Sequence, residues 1–99
     1  MTVAIARLTL YIPESHSLKE KRMVLRRVKD RVRGKFNCAI AEVEDNDNWQ
    51  RAVLGLAVVG NERRFTEGAM DEILRFVDGQ AQVSNTEREV QTFNDPLGG

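Results

Sequence analysis

No apolar run in this chain approaches the roughly 18 residues that a membrane-spanning helix needs. The N-terminus also lacks the basic stretch, apolar core and small-residue cleavage site of a secretory signal. Neither secretion nor a membrane partner is expected. Cysteine occurs once, as Cys38, so an internal disulfide is excluded and a reducing, cytoplasmic setting fits. Histidine also occurs once, as His16, and no Cys/His spacing of the zinc-binding kind exists. A glycine-rich phosphate-cradling loop is missing, and no pair of acids stands out from the surface acids as a general acid and base. Net charge is absent too: 15 basic residues balance 15 acidic ones. A global attraction for nucleic acid is thereby excluded, and only a local patch could supply one.

The charge that is present is unevenly placed. Residues 1–35 hold ten Lys or Arg against three acids, a balance of +7, and residues 36–99 hold five against twelve, a balance of −7. Ninety-nine residues suit one compact domain. The expected organisation is a single domain over residues 1–93 and a loose tail over 94–99.

Alternation marks a first strand over Val3–Ile12. The positions Ala4, Ala6, Leu8, Leu10 and Ile12 are all apolar, while Arg7 and Thr9 interrupt the other parity. One purely apolar face predicts a strand covered on one side, ended by Pro13. Ser17-Leu18-Lys19-Glu20 has capping-box spacing and predicts a helix start. Leu18, Val24, Leu25, Val28 and Val32 then fall on one helical face, and Gly34 is the expected stop. A second strand is predicted from about Phe36 to Glu44, then a turn at Asp45-Asn46-Asp47-Asn48. A third strand follows over Gln50–Val59, and a second helix from Asn61 or Arg63 to Asp78. A polar edge strand completes the pattern over Gln82–Phe93. The order β-α-β-β-α-β with right-handed crossovers predicts an α+β ferredoxin-like sandwich. In it a four-stranded antiparallel sheet carries two helices on one face, with the first and third strands central.

An ordered set of short matches runs along nearly the whole chain. It comprises Tyr11-Ile12-Pro13, Ser15, Ser17 through Arg22, Phe36-Asn37, Ala41-Glu42-Val43, Trp49 through Ala52 and Leu54-Gly55. It continues with Ala57-Val58-Val59, Leu74 through Val77 and Glu87-Arg88-Glu89. In these the chain resembles the YlxP-like family of small bacterial proteins of uncharacterised function. The resemblance implies the ferredoxin-like fold. Its members are often encoded beside factors for transcription elongation, translation initiation and ribosome maturation, which implies a role near RNA or the ribosome. The resemblance supplies no catalytic residues and no cofactor.

The first helix carries the clearest candidate surface. Lys19, Arg22, Arg26, Lys29 and Arg33 recur at spacings of three and four, which makes them neighbours on one flank. Such a row can track phosphates and neutralise several of them, so ribosomal RNA or a ribosomal subunit is the expected partner. The competing expectation is a solvated face whose charge is partly cancelled by Glu67, Asp71, Glu72 and Asp78 of the second helix. Lys21 differs, since it projects from the middle of the apolar face. It must snorkel or find a carboxylate, and Glu42 is the expected partner in a structural ion pair.

The fold leaves one sheet face uncovered, on which Val3, Ile5, Tyr11, Val53 and Val59 are expected to project beside Arg7, Thr9 and Arg51. RNA-recognition domains of this topology stack bases on central aromatics. Tyr11 alone, near a strand end, does not make that surface. Small aliphatic residues suit a protein partner or a second copy of the chain better, and an ordinary surface softened by the polar positions is the other reading. A ligand at a dimer interface rests on fold analogy alone.

Remaining signals are weak. His16 is expected to fill the capping loop, and Cys38 to be a small buried hydrophobe. Glu42, Glu44, Asp45 and Asp47 could gather a hard cation. An EF-hand loop opening at Asp45 would need glycine where Gln50 stands, however, so a solvated turn and no metal are expected. Trp49 is expected as a core plug at the sheet end, with an exposed anchor as the alternative. The expected function is non-enzymatic binding: an RNA- or ribosome-associated accessory factor using the basic helix, or an interaction or self-association module using the open sheet.

Overall fold

Alternation in the first strand organises everything else. In the computed structural model, which describes residues 1–44 and 47–93, β1 (Thr2–Tyr11) buries Ala4, Ala6, Leu8 and Leu10 on one side. The chain continues through α1 (Leu18–Lys35), β2 (Ala39–Glu44), β3 (Arg51–Gly60), α2 (Arg63–Asp78) and β4 (Gln82–Thr92). The four strands form one antiparallel sheet in the order β2-β3-β1-β4, which is the ferredoxin-like arrangement. Registers such as Leu8 opposite Leu54 and Ala6 opposite Leu56 stack the inward residues of the two central strands. Both helices cover these rows. From α1 come Leu25, Val28 and Val32, and from α2 Met70, Ile73 and Val77. Each large aliphatic side chain so removed from water is worth about 1.5–3 kcal/mol. Truncating one of them, such as Leu54, to alanine costs about 2–5 kcal/mol.

The start of α1 follows its sequence closely. Ser17 is the N-cap, and its hydroxyl accepts from the Glu20 N–H at 3.1 Å. The returning Glu20 carboxylate accepts from the N–H of His16 at 2.6 Å, one residue before the cap. The box is thus closed on the preceding residue rather than on Ser17 itself.

Four expectations are corrected. The helix does not stop at Gly34 but runs through it to Lys35, with Phe36 as C-cap donating its N–H to the Val32 carbonyl at 2.8 Å. Phe36 packs edge-on against Phe76, with ring centroids 5.5 Å apart, and Lys35 Nζ sits 4.9 Å from the Phe76 centroid. These contacts fix the helix end, so β2 begins only at Ala39.

Trp49 is no core plug: it is 54% exposed. Its neighbour Gln50 is the anchored residue, its side-chain amide donating to the carbonyls of Pro13 and Ser15 at 3.1 and 3.2 Å. Its own carbonyl accepts from the Ile12 N–H at 2.8 Å. With its neighbour anchored, Trp49 is turned outward.

Val53 has the parity of the open face yet is only 1% exposed. The β2–β3 register slips between Glu42 and Glu44, which sets Glu44 opposite Val53. The same slip lays Val43 over Gly55, where an added Cβ would stand 3.0 Å from Val43 Cγ1. Arg7 of β1 pairs with Glu44 at 3.0 Å, and because β3 lies between β1 and β2 this bridge passes over β3. Val53 therefore contributes no surface. Finally, Cys38 is half-buried rather than buried, packed at the margin of the core. The expected tail, residues 94–99, lies outside the described residues, as do Asp45 and Asn46 of the expected turn.

Candidate nucleic-acid interface

The outer surface of α1 follows from its heptad-like inward stripe. Once Lys21, Leu25, Val28 and Val32 face the sheet, the residues flanking them on the β2 side are the basic ones. Lys19, Arg22, Arg26 and Arg33 are exposed, and Lys29 is half-buried. Arg22, Arg26, Lys29 and Arg33 line one shallow groove of about 310 Å³, closed by Leu25, Asp30 and Glu42. The groove therefore runs between α1 and the edge strand β2. Lys19 continues the row one turn before it.

Two carboxylates touch this groove. Glu42 is already paired, its Oε2 lying 2.9 Å from Lys21 Nζ. Lys21 is 1% exposed, so its stem runs through the aliphatic face and its ammonium meets the strand. Asp30 is exposed and makes no ion pair among the described residues. Arg33 Nη2 donates to the Ile40 carbonyl of β2 at 2.8 Å, which fixes one end of the row to the sheet.

The competing expectation, cancellation by α2, is corrected by the geometry. Glu67 pairs with Arg63 on its own helix at 3.1 Å, and Asp71 pairs with Arg88 of β4. Among the described residues none of Glu67, Asp71, Glu72 or Asp78 pairs with the row. The residue of α1 that reaches toward the end of α2 is Arg31, which donates to the Gln80 side chain, on the opposite flank. Lys19, Arg22, Arg26 and Lys29 thus stand as unpaired cations among the described residues.

Across the sheet, on its open face, the charge is settled internally. Arg7 Nη2 donates to both carboxylate oxygens of Glu87 at 2.9 Å, and Nη1 donates to Glu44 at 3.0 Å. The Glu87 hydrogen bonds, then the charges of Glu87 and Glu44, raise the Arg7 pKa above its ordinary value. A guanidinium held in this way is not offered to a ligand. Burial pushes the Cys38 thiol up, with the Arg33 charge acting weakly the other way, which opposes a nucleophilic role. Among the described residues no group of three or more His, Cys, Asp or Glu is placed to hold a metal ion. Among the described residues no helix is long and apolar enough to cross a membrane.

Of the sheet-face residues expected from sequence, Ile5, Tyr11 and Val59 are exposed, Val3 is half-buried and Val53 is buried. Sequence reasoning missed Met1 and Phe93. These exchange backbone hydrogen bonds, Phe93 N–H to Met1 O at 2.8 Å and the Met1 amine to Phe93 O at 3.2 Å, and both are exposed. Their parity was readable in each strand, but their adjacency needs the β1–β4 register.

Comparison with known proteins adds family and fold. Residues 3–90 match the family described as "Protein of unknown function (DUF503)". The chain is 36% identical over 91 residues to the uncharacterized protein YlxP of Bacillus subtilis (strain 168), covering 92% of this chain and 99% of that one. Among solved structures it is similar to the de novo designed protein Foldit4, with a TM-score of 0.55 and 16% identity over 94% of this chain and 98% of that one. It is also similar to a designed ferredoxin-fold protein, LFR1 1, with a TM-score of 0.54 and 15% identity over 96% and 88% of the two chains. Likeness to designed chains at this identity speaks for the fold alone.

Proposed function

This chain belongs to the DUF503 family of proteins of unknown function, and from its geometry we propose that it acts without catalysis, by binding the phosphate backbone of RNA along α1. The observation that carries this reading is the row Lys19, Arg22, Arg26, Lys29: four cations on one flank with no ion pair among the described residues. Arg33 extends the row at the β2 end of the groove. An isolated surface cation is worth little, but a row at helical spacing presents a line of charge to a line of phosphates. The setting that the family resemblance implies, near translation and ribosome maturation, favours ribosomal RNA as the partner. The open sheet face is not the RNA surface in this reading. Its centre holds Arg7 locked to two carboxylates and no aromatic ring, whereas base-stacking sheets need exposed rings there.

The test is co-sedimentation with ribosomal subunits, and anisotropy with a labelled RNA hairpin, at low and raised salt. With about four phosphates neutralised, affinity should fall roughly 100-fold between about 50 and 200 mM salt. Arg22→Glu/Arg26→Glu should abolish binding. Arg27→Glu/Arg31→Glu, the same charge change on the opposite flank, should reduce it far less. Absence of wild-type binding at low salt, or equal loss in both double variants, would sink the reading.

A further inference from the structure

A groove suited to phosphates alone would carry no carboxylates, yet Asp30 and Glu42 line the basic groove between α1 and β2. Their settings differ. Asp30 is exposed, one turn from Arg26 and from Arg33 on the same helix, where an acid is an ordinary surface residue. Glu42 is half-buried. Its Oε2 is closed off from solvent, 2.9 Å from Lys21 Nζ, while the side chain as a whole keeps 20% exposure. Its other oxygen, Oε1, accepts no hydrogen bond among the described residues. With Oε2 buried, Oε1 is the acceptor left to the groove. Arg33 sets the wall beside it, bonded to the carbonyl of Ile40 two residues earlier on β2. A buried ion pair is often no more stabilising than two apolar side chains in its place. What the pair adds here is an acceptor at the foot of a row of cations, its charge set against that of Lys21.

We infer that Glu42 reads the ribose 2′-hydroxyl, so that this groove takes the sugar–phosphate backbone of RNA in preference to that of DNA. The inference rests on the phosphate-binding reading of α1 and adds a specificity-determining residue to it. Phosphates meet Arg22, Arg26 and Lys29 on the helix wall. Between successive phosphates an RNA strand carries a hydroxyl that can donate, and an ionised carboxylate only accepts. Deoxyribose offers that oxygen no donor. A carboxylate withdrawn from water and left without a partner costs more than the missing bond alone. A base edge is the other source of donors. Reading unpaired bases uses aromatic or guanidinium planes to stack them, and no aromatic ring lines this groove.

Anisotropy with one hairpin sequence made as RNA, as DNA and as 2′-fluoro RNA tests this. The fluoro sugar keeps the A-form shape and lacks the hydroxyl donor. RNA should bind roughly tenfold more tightly than the 2′-fluoro hairpin, the effect of one hydrogen bond to a charged group. The two should share one salt slope, because their phosphates are the same. DNA should bind no better than the 2′-fluoro hairpin. In Lys21→Met/Glu42→Leu one charge of each sign is removed, so the net charge beside the row is unchanged. With its fold checked by circular dichroism, this variant should bind RNA only as well as the 2′-fluoro hairpin, and its affinity for the latter should hold. The sugar comparison needs no variant, so it stays decisive if the double variant does not fold. Equal binding of RNA and 2′-fluoro RNA by the wild type overturns the inference and leaves the phosphate reading standing. So does an RNA preference that survives in the folded double variant. No binding of any hairpin at low salt overturns both.

Discussion

Lys21 Nζ stands 2.9 Å from Glu42 Oε2, which ties the middle of an otherwise aliphatic helix face to the edge strand of the sheet. Removing Glu42 takes from this nearly buried ammonium the carboxylate it faces in the sheet, and that is more costly than the attraction alone. Glu42→Leu should therefore destabilise the protein by about 3 kcal/mol, a fall in Tm of roughly 12–24 °C for a domain of this size. The double variant Lys21→Met/Glu42→Leu should recover most of the loss, because two apolar side chains need no partner. Thermal or urea unfolding of the three proteins decides it. A double variant as weak as the single one would show that the site depends on something other than the pair.

The cap of α1 gives a smaller effect. Ser17→Ala removes the acceptor for the Glu20 N–H and should cost about 1 kcal/mol. Glu20→Ala should lower stability as well, since the His16 N–H loses its acceptor. Chemical denaturation midpoints at constant slope are the readout.

Three glycines separate by their surroundings. At Gly34 and Gly68 an added Cβ meets nothing within 4 Å, and both lie inside helices. Alanine at either position should stabilise by about 0.5–1 kcal/mol. At Gly60 the Cβ would collide with Thr66 Oγ1. That hydroxyl is committed to the Glu62 carbonyl at 2.8 Å, at the start of α2. Gly60→Ala should destabilise by about 1–3 kcal/mol. Opposite signs among three identical substitutions, measured by Tm, are the expected pattern.

Cys38 offers a pH-dependent check. Its pKa is raised by burial, so at a pH near 8 its thiolate fraction is smaller than that of a free thiol. Alkylation by iodoacetamide should be slower in the folded protein than in urea. The rate should keep rising at pH values where an unperturbed thiol has levelled off. A folded-state rate equal to the unfolded one would contradict the burial seen here.

The fold was legible because its signals are local. Alternation over Val3–Ile12, the Ser17 cap and the helical spacing of Leu25, Val28 and Val32 each act within one element. The basic flank was legible for the same reason, being a periodicity of one helix. What escaped were consequences of register. Val53 is covered because a bulge in β2 and an arginine from β1 both reach β3, and no property of β3 itself encodes that. Trp49 points outward because Gln50 bonds to a loop some 35 residues away in sequence. Met1 and Phe93 meet only once β1 and β4 are aligned. Glu67 and Asp71 pair with Arg63 and Arg88, four and 17 residues away, rather than with the more distant α1, a choice that depends on where α2 and β4 lie in the fold.

One consequence concerns Arg33, whose guanidinium holds the carbonyl of Ile40 in the strand that borders the sheet. Bordering strands are where chains add to one another without limit, and charged side chains at the border restrain them. Arg33 therefore serves as a guard as well as a member of the basic row. Reversing its charge would strip cover from β2 and could turn a binding assay into a solubility assay. Arg22 and Arg26, which make no bond to β2 among the described residues, are therefore the cations with which to test the proposed RNA contact.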